Sequence, residues 1–125
     1  MKVGYVDTSF LAAIAFAEPG HQELVDRMGA FDLLCSSNLL EAELLAAFQR
    51  HNLVDDGTFF AQIAWVLPDR PLNAEIHAVL AAGHLRGADL WHLACALYLS
   101  PDPRELAFLT VDRAQAEVAS GLGFL

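Results

Sequence analysis

The stretch KVGYVDTSFLAAIAFA (Lys2–Ala17) predicts a strand that passes directly into a helix. The strand, KVGYVD, is short, contains β-branched and aromatic residues, and ends at Asp7. Thr8 or Ser9 can then cap the helix, and Pro19-Gly20 stops it. A strand followed at once by a helix is the repeating unit of α/β proteins, so we expect the same unit to recur along the chain.

Further strands and helices do alternate along the remaining sequence. The predicted strands are Asp32–Ser36 and Glu105–Thr110, with Leu122–Leu125 as a possible last edge strand. The predicted helices are His21–Met28, Leu39–Arg50 (capped by Ser37 or Asn38), Asp55–Val66, Asn73–Ala82, Ala88–Leu99 and Arg113–Ala119. Such alternation predicts a three-layer α/β sandwich with a central, mostly parallel sheet, built as a single domain over residues 1–125.

The composition bounds the kind of partner that the protein can bind. Sixteen acids stand against seven Lys and Arg residues, which gives a formal net charge of −9. That balance argues against a general nucleic-acid binder, because such proteins carry a basic surface. No apolar run approaches the ~18 residues of a membrane helix. Cys35 and Cys95 lie in apolar runs, as is typical of core cysteines in a reducing compartment, so we expect a cytoplasmic protein without a membrane anchor.

Acidic residues occupy places where the reactive crevice of a parallel sheet is expected, outside the carboxyl ends of its strands. Asp7 closes the first strand, and Asp112 follows the strand Glu105–Thr110. Asp89 begins a strongly apolar helix. Each acid also has a simpler interpretation, since Asp7 and Asp112 can cap helices and Asp89 can interact with a helix dipole. Their shared position at one edge favours a common site.

Glu43 lies on the packed side of the Leu39–Arg50 helix, whereas Glu41 points nearer the outer side. A partly exposed helix residue is the simpler interpretation of Glu43. Several carboxylates within a few ångströms repel one another and protonate unless a cation holds them. Oxygen ligands without Cys or His select Mg²⁺ or Mn²⁺ over zinc, and such ions serve phosphodiester hydrolysis.

Four segments resemble the motifs of PIN-domain nucleases, in the order in which that family carries them. The segments are Val6–Leu11 (VDTSFL), Ser36-Ser37 with Ala42-Glu43-Leu44, Leu85–Ala94 (LRGADLWHLA) and Leu109–Arg113 (LTVDR). The third is the most specific of the set. The resemblance implies a PIN fold and a Mg²⁺-dependent endoribonuclease that cleaves single-stranded RNA, with Mn²⁺ as a possible substitute. It further implies the toxin of a toxin–antitoxin pair, with an antitoxin protein as partner and a homodimer as its usual state.

The resemblance also implies roles for individual residues. Asp7, Asp89 and Asp112 would ligate one or two metal ions, and Glu43 would position the second ion or orient the attacking water. The supporting hydroxyls, which would hold a water or a carboxylate, belong to Thr8, Ser9 and Thr110. We expect Arg86 and Arg113, which flank the acid motifs, to contact RNA phosphate, although surface ion pairs are equally compatible with their positions.

Other interpretations remain open for several residues and for the whole chain. We expect His92 to be a neutral, hydrogen-bonded core histidine, because no second His or Cys stands at ligand spacing. Trp65 and Trp91 suit either the core or a partner groove. A phosphotransfer receiver domain would need a lysine late in the chain, and the only lysine is Lys2. A catalytically inactive PIN-like module that binds RNA or a protein is the alternative function.

Overall fold

The computed structural model describes residues 1–55 and 57–125, and within them four parallel strands form one sheet. The strands are β1 (Val3–Val6), β2 (Leu33–Ser37), β3 (Ile63–Val66) and β4 (Ala107–Leu109). Their order is β3-β2-β1-β4, with Tyr5 in register with Cys35 on one side and Phe108 on the other. The two central strands, β2 and β1, are buried over most of their length because both faces of the sheet are covered.

The described residues also form six α-helices, and most lie close to their predicted bounds. They are α1 (Thr8–Ala15), α2 (His21–Met28), α3 (Asn38–Arg50), α4 (Asn73–Ala82), α5 (Gly87–Leu99) and α6 (Arg113–Leu122). A 3₁₀ turn at Pro103–Glu105 precedes β4. None of the helices in the described part of the chain has both the length and the apolarity needed to cross a membrane.

The sheet separates two apolar cores, which makes the fold a three-layer α/β sandwich, as predicted. Strand side chains alternate between the faces, so Tyr5 and Val6 enter different cores. The first core packs Tyr5 against α4, α5 and α6, with Leu93 of α5 fully buried. The second packs Val6 against α1 and α3, where Phe10 and Leu44 are fully buried. The predicted active site lies at the carboxyl edge of the sheet, between the helices of these two layers.

The predicted helix Asp55–Val66 is wrong, because Ile63–Val66 is a strand and no α-helix occurs in the described part of this segment. Residue 56 lies outside the described residues. The apolar residues Phe59, Ile63 and Val66 fit a helical period, so periodicity alone could not separate the two structures. Pairing with the open side of β2, from Leu34↔Ile63 to Ser37↔Val66, decides for the strand.

The predicted edge strand Leu122–Leu125 is also wrong over most of its length. Helix α6 continues to Leu122, and Gly123 ends it with a φ of +104°, a conformation that glycine adopts without strain. Only Leu125 pairs with the sheet. Its N–H donates to the carbonyl of Leu106 and its carbonyl accepts from the N–H of Phe108, each at 3.1 Å.

Three strands lead directly into helices at the carboxyl edge of the sheet. Strands β1, β2 and β4 are followed by α1, α3 and α6, whose capping residues are Asp7, Ser37 and Asp112. The N-terminus of each helix therefore lies at this edge and contributes partial positive charge there. This arrangement gives acidic side chains a favourable place to collect.

Candidate active site

A pocket of about 390 Å³ opens at the carboxyl edge between the start of α5 and the start of α6. Asp89 and Asp112 both line it, together with the exposed Arg86. The remaining lining residues are His84, Leu85 and Ala114. The structure thus brings two of the four predicted acids into one cavity, at the edge where the sequence predicted a site.

Asp89 carries the electrostatic signature of crowded carboxylates. Burial raises the pKa of Asp89 above its ordinary value, and the negative charges of Asp112 and then Glu43 raise it further. His92 and Arg86 act in the opposite direction. Geometry agrees with these influences, since Asp112 lines the same pocket as Asp89, and Oε1 of Glu43 lies 3.4 Å from Nε2 of His92, one helical turn after Asp89.

Asp7 is 1% exposed and is held by three hydrogen bonds. Its carboxylate accepts the N–H of Phe10 at 3.2 Å and the hydroxyl of Ser9 at 2.8 and 3.1 Å. Asp7 therefore caps α1 itself, and the prediction that Thr8 or Ser9 would cap this helix is wrong. Burial raises the pKa of Asp7, which the bonds from Ser9 and Phe10 oppose.

Ser9 links Asp7 to the end of β4, because its hydroxyl also lies 3.1 Å from the hydroxyl of Thr110. Asp112 follows and caps α6 by accepting the N–H of Gln115 at 2.8 Å. Thr110 accepts the N–H of Asp112 at 3.0 Å and donates to the Gln115 side chain at 2.8 Å. Two predicted supporting hydroxyls thus join the acids of β1 and β4.

Gln115 is a buried polar residue that sequence reasoning missed. Its side chain is fully buried, and its amide donates to the main-chain carbonyl of Asp89 at 3.2 Å. This bond ties the first turn of α5 to the first turn of α6, and so fixes the spacing of Asp89 and Asp112. The available signal was a glutamine three residues after the cap Asp112, at helical spacing from the apolar Val118, Ala119 and Leu122.

Glu43 lies on α3 with its side chain 36% exposed. Its Oε1 accepts the hydroxyl of Thr8 at 2.7 Å and lies 3.4 Å from Nε2 of His92. The bond from His92, followed by the bond from Thr8, lowers the pKa of Glu43, and burial only partly opposes this. Contact with Thr8, directly after Asp7, places Glu43 rather than Glu41 beside the site.

His92 is buried at the junction between β1 and the site. Its Nδ1 lies 2.8 Å from the hydroxyl of Tyr5, and its Nε2 lies 3.0 Å from the hydroxyl of Thr8. The N–H of Ser37 donates to the same Tyr5 hydroxyl at 3.0 Å. The sequence predicted a buried, bonded histidine but not that one of its nitrogens faces site residues. Spacing offered a signal, since Tyr5 and Asp7 share one sheet face and His92 follows Asp89 by one helical turn.

Burial raises the pKa of Tyr5 well above its ordinary value, so its hydroxyl keeps its hydrogen.

The two arginines of the acid motifs differ in their surroundings. Arg86 lines the pocket, whereas Nε of Arg113 lies 3.2 Å from Glu117 in an exposed ion pair, which is the alternative left open for it. The indole of Trp91 donates to the Ser37 hydroxyl at 3.2 Å, beneath the site.

The donor set and the arrangement give different answers about a metal ion. All four acids offer carboxylate oxygens, the ligand type that Mg²⁺ and Mn²⁺ prefer, so the residues fit a hard divalent cation. Within residues 1–55 and 57–125, however, no group of three or more His, Cys, Asp or Glu side chains is placed to hold an ion. Asp7, Glu43 and Asp112 bond instead to neighbouring hydroxyls and N–H groups. Carboxylates that repel one another are expected to stand apart in this way.

Comparison with known proteins gives one family. The family model described as PIN domain matches residues 4–121, which span all four elements that carry the acids. Neither the curated proteins nor the solved structures contain a match.

Proposed function

Because this chain belongs to the PIN-domain family, whose members are in general metal-dependent nucleases, we propose that it is an endoribonuclease that cleaves single-stranded RNA. The observation that carries the proposal is the convergence of acids at one edge. Asp89 and Asp112 line one pocket, and Glu43 lies 3.4 Å from His92, which follows Asp89 by one helical turn. Carboxylates at the carboxyl edge of a parallel sheet, where such sheets form their reactive crevice, are suited to hold the divalent ions that serve phosphoryl chemistry.

We propose Mg²⁺ as the natural ion and Mn²⁺ as a substitute, held by Asp7, Asp89, Asp112 and Glu43. When bound, such an ion activates water and neutralises charge on the leaving oxygen of the phosphodiester. The chain's own contribution is orientation. Ser9 and the N–H of Phe10 hold the Asp7 carboxylate. A group fixed in this way loses little freedom when substrate arrives.

The remaining residues of the site bind and orient RNA in this proposal. Arg86 lines the same pocket as Asp89, and in this proposal it binds a phosphate of the RNA there. Arg113 would have to leave Glu117 before it could do the same. The N-termini of α1, α3 and α6 add partial positive charge at the same edge, which helps an acidic protein accept a polyanion.

The proposal includes a biological setting, the toxin of a toxin–antitoxin pair in the cytoplasm. Cys35 and Cys95 are buried and unpaired, and burial raises their pKa to about 12 and about 11, as suits inert thiols in a reducing compartment. An apolar groove of about 470 Å³ lies beside the edge strand β3 and the end of α5, bordered by the exposed Leu33, Leu67 and Leu99. Such a surface is suited to an antitoxin or a second copy of the chain. A neighbouring gene that encodes a small DNA-binding protein with an apolar tail would support this setting.

Cleavage of a single-stranded RNA with a fluorophore and quencher tests the proposal. We expect cleavage with Mg²⁺, none with EDTA, and none by the Asp89→Asn variant. The matched control is Asp32→Asn, the same substitution at the opposite edge, where the Asp32 carboxylate accepts the N–H of Lys2. Full activity of Asp89→Asn, or cleavage in EDTA, would contradict the mechanism. RNA binding without cleavage would favour the inactive binding module.

A further inference from the structure

A continuous line of hydrogen bonds connects the interior of the sheet to the carboxylate of Glu43. It begins at the main-chain N–H of Ser37, passes through the hydroxyl of Tyr5, and reaches Nδ1 of His92. From Nε2 of His92 it continues to the hydroxyl of Thr8 and then to Oε1 of Glu43. Each step spans 2.7–3.0 Å, and Tyr5 and His92 are almost completely buried.

We propose that His92 is a positioning residue, which fixes the orientation of Glu43 through the hydroxyl of Thr8. The inference rests on the proposed function, since it assigns a role within the same site. A positioning role differs from that of a buried histidine whose ring nitrogens merely find hydrogen-bond partners in the core. One ring nitrogen bonds to the core residue Tyr5, whereas the other faces two side chains at the site, Thr8 and Glu43.

The direction of the bonds follows from the hydrogens available. The Tyr5 oxygen accepts the N–H of Ser37 and uses its own hydrogen toward Nδ1 of His92. Nε2 must then carry the ring hydrogen and donate it to the hydroxyl of Thr8. Thr8 donates in turn to Glu43. Bonds aligned in one direction strengthen one another, so the line holds its last member more firmly than an isolated bond would.

Glu43 needs such support because of its surroundings. Its side chain has three rotatable bonds and is 36% exposed, so without partners it would sample several rotamers. The line occupies Oε1, whereas Oε2 has no hydrogen-bond partner among the described residues. The orientation that His92 imposes therefore leaves one defined oxygen of Glu43 for an ion or a water. Partners of this kind commonly change metal affinity or activity by 10–100-fold when removed.

Two substitutions at one position separate positioning from packing. Asparagine can place a polar atom near Nδ1 and keep the contact with Tyr5, but it is too short to reach Thr8. Glutamine can place an N–H near Nε2 and keep the contact with Thr8. We expect His92→Asn to lower kcat and to weaken Mn²⁺ binding, each about tenfold. KM should not change, and His92→Gln should restore most of both losses. Nitrogen magnetic resonance of the metal-free protein should show the hydrogen of His92 on Nε2.

Thermal melts establish that each variant is folded at the assay temperature. If His92→Asn does not fold, Thr8→Val serves in its place, because it breaks the same line of hydrogen bonds at a half-buried position. It should show the losses in kcat and Mn²⁺ affinity that are expected of His92→Asn. Tyr98→Phe is the control, because it removes a phenol hydroxyl at the far end of α5 and should leave kcat unchanged.

Unchanged kcat and unchanged Mn²⁺ affinity in His92→Asn would overturn the inference, as would equal losses in the Asn and Gln variants. If the wild-type protein cleaves no RNA, the proposed function fails. Calorimetry with Mn²⁺ alone then decides the role of His92, so the two failures are distinguishable.

Discussion

Replacing Asp89 by asparagine removes one negative charge from the pocket and keeps the size of the side chain. In the absence of metal, Asp89 is repelled by Asp112 and Glu43 and is partly buried. Asp89→Asn should therefore be more stable than the wild type, although the proposed mechanism predicts that it does not cleave RNA. Residues that serve catalysis at the expense of folding stability commonly behave in this way.

The size of the effect follows from partial exposure. Charge interactions between groups screened by solvent amount to about 0.5 kcal/mol. A chain of 125 residues has an unfolding entropy near 0.26 kcal/mol/K, so Tm should rise by about 2 °C. Divalent metal should make the wild type more stable than Asp89→Asn. At ten times the dissociation constant of Mn²⁺, the wild type gains about 1.4 kcal/mol, or about 5 °C, and the variant should gain little.

Differential scanning fluorimetry with EDTA and with Mn²⁺ measures both effects, with Asp32→Asn as the control. The pH dependence gives a second check. Because the folded pKa of Asp89 is raised, its contribution to stability is full below the unfolded value near 3.8 and is lost as pH rises through the folded value. The advantage of Asp89→Asn should therefore narrow as pH falls from 7 toward 4. A variant less stable than the wild type at pH 7 in EDTA would refute the reasoning.

Three further outcomes are expected. Tyr5→Phe should lower the free energy of unfolding by about 1–3 kcal/mol in urea titrations, because the buried His92 and the N–H of Ser37 lose their bonds to the hydroxyl. Tyr98→Phe, which removes an exposed bond, should change it by less than about 0.5 kcal/mol. Equal effects of the two substitutions would contradict this expectation. Gly83→Ala should cost about 1–3 kcal/mol, because its Cβ would lie 2.8 Å from Cγ2 of Val118, and the cost should shrink in a Val118→Ala background. Glu43→Gln should be about 0.5 kcal/mol less stable than the wild type at pH 7. Since the folded pKa of Glu43 is lowered, that difference should begin to shrink near pH 4.5 and should be lost as pH falls through the folded value, and a constant difference would count against the bonds described.

Local signals were sufficient for the parts of the fold in which a strand runs into a helix. Lys2–Ala17 combines an apolar strand, an acid at its end and a proline stop, and each of these signals lies within a few residues. The segment Ile63–Val66 has no such signal. Its identity as a strand depends on the open side of β2, more than 25 residues earlier in the chain, so a helical interpretation was equally consistent with the local sequence.

The candidate site divides in the same way. The position of an acid at a strand end is a local property, which allowed Asp7 and Asp112 to be predicted. The partners of those acids are not local, since Ser9 meets Thr110 and Gln115 meets Asp89 from segments far apart in sequence. Such hydrogen bonds require donor–acceptor distances within a range of about 0.5 Å, and a pattern of residue types does not contain that information.

Asp7 and Asp112 cap helices, whereas Asp89 caps none. If the proposed nuclease activity were lost in a descendant of this gene, selection for folding would still retain the two capping acids. Mutational drift should therefore erode Asp89 first. In such inactive descendants, the acids that remain would be those that cap helices, and their presence would not indicate nuclease activity.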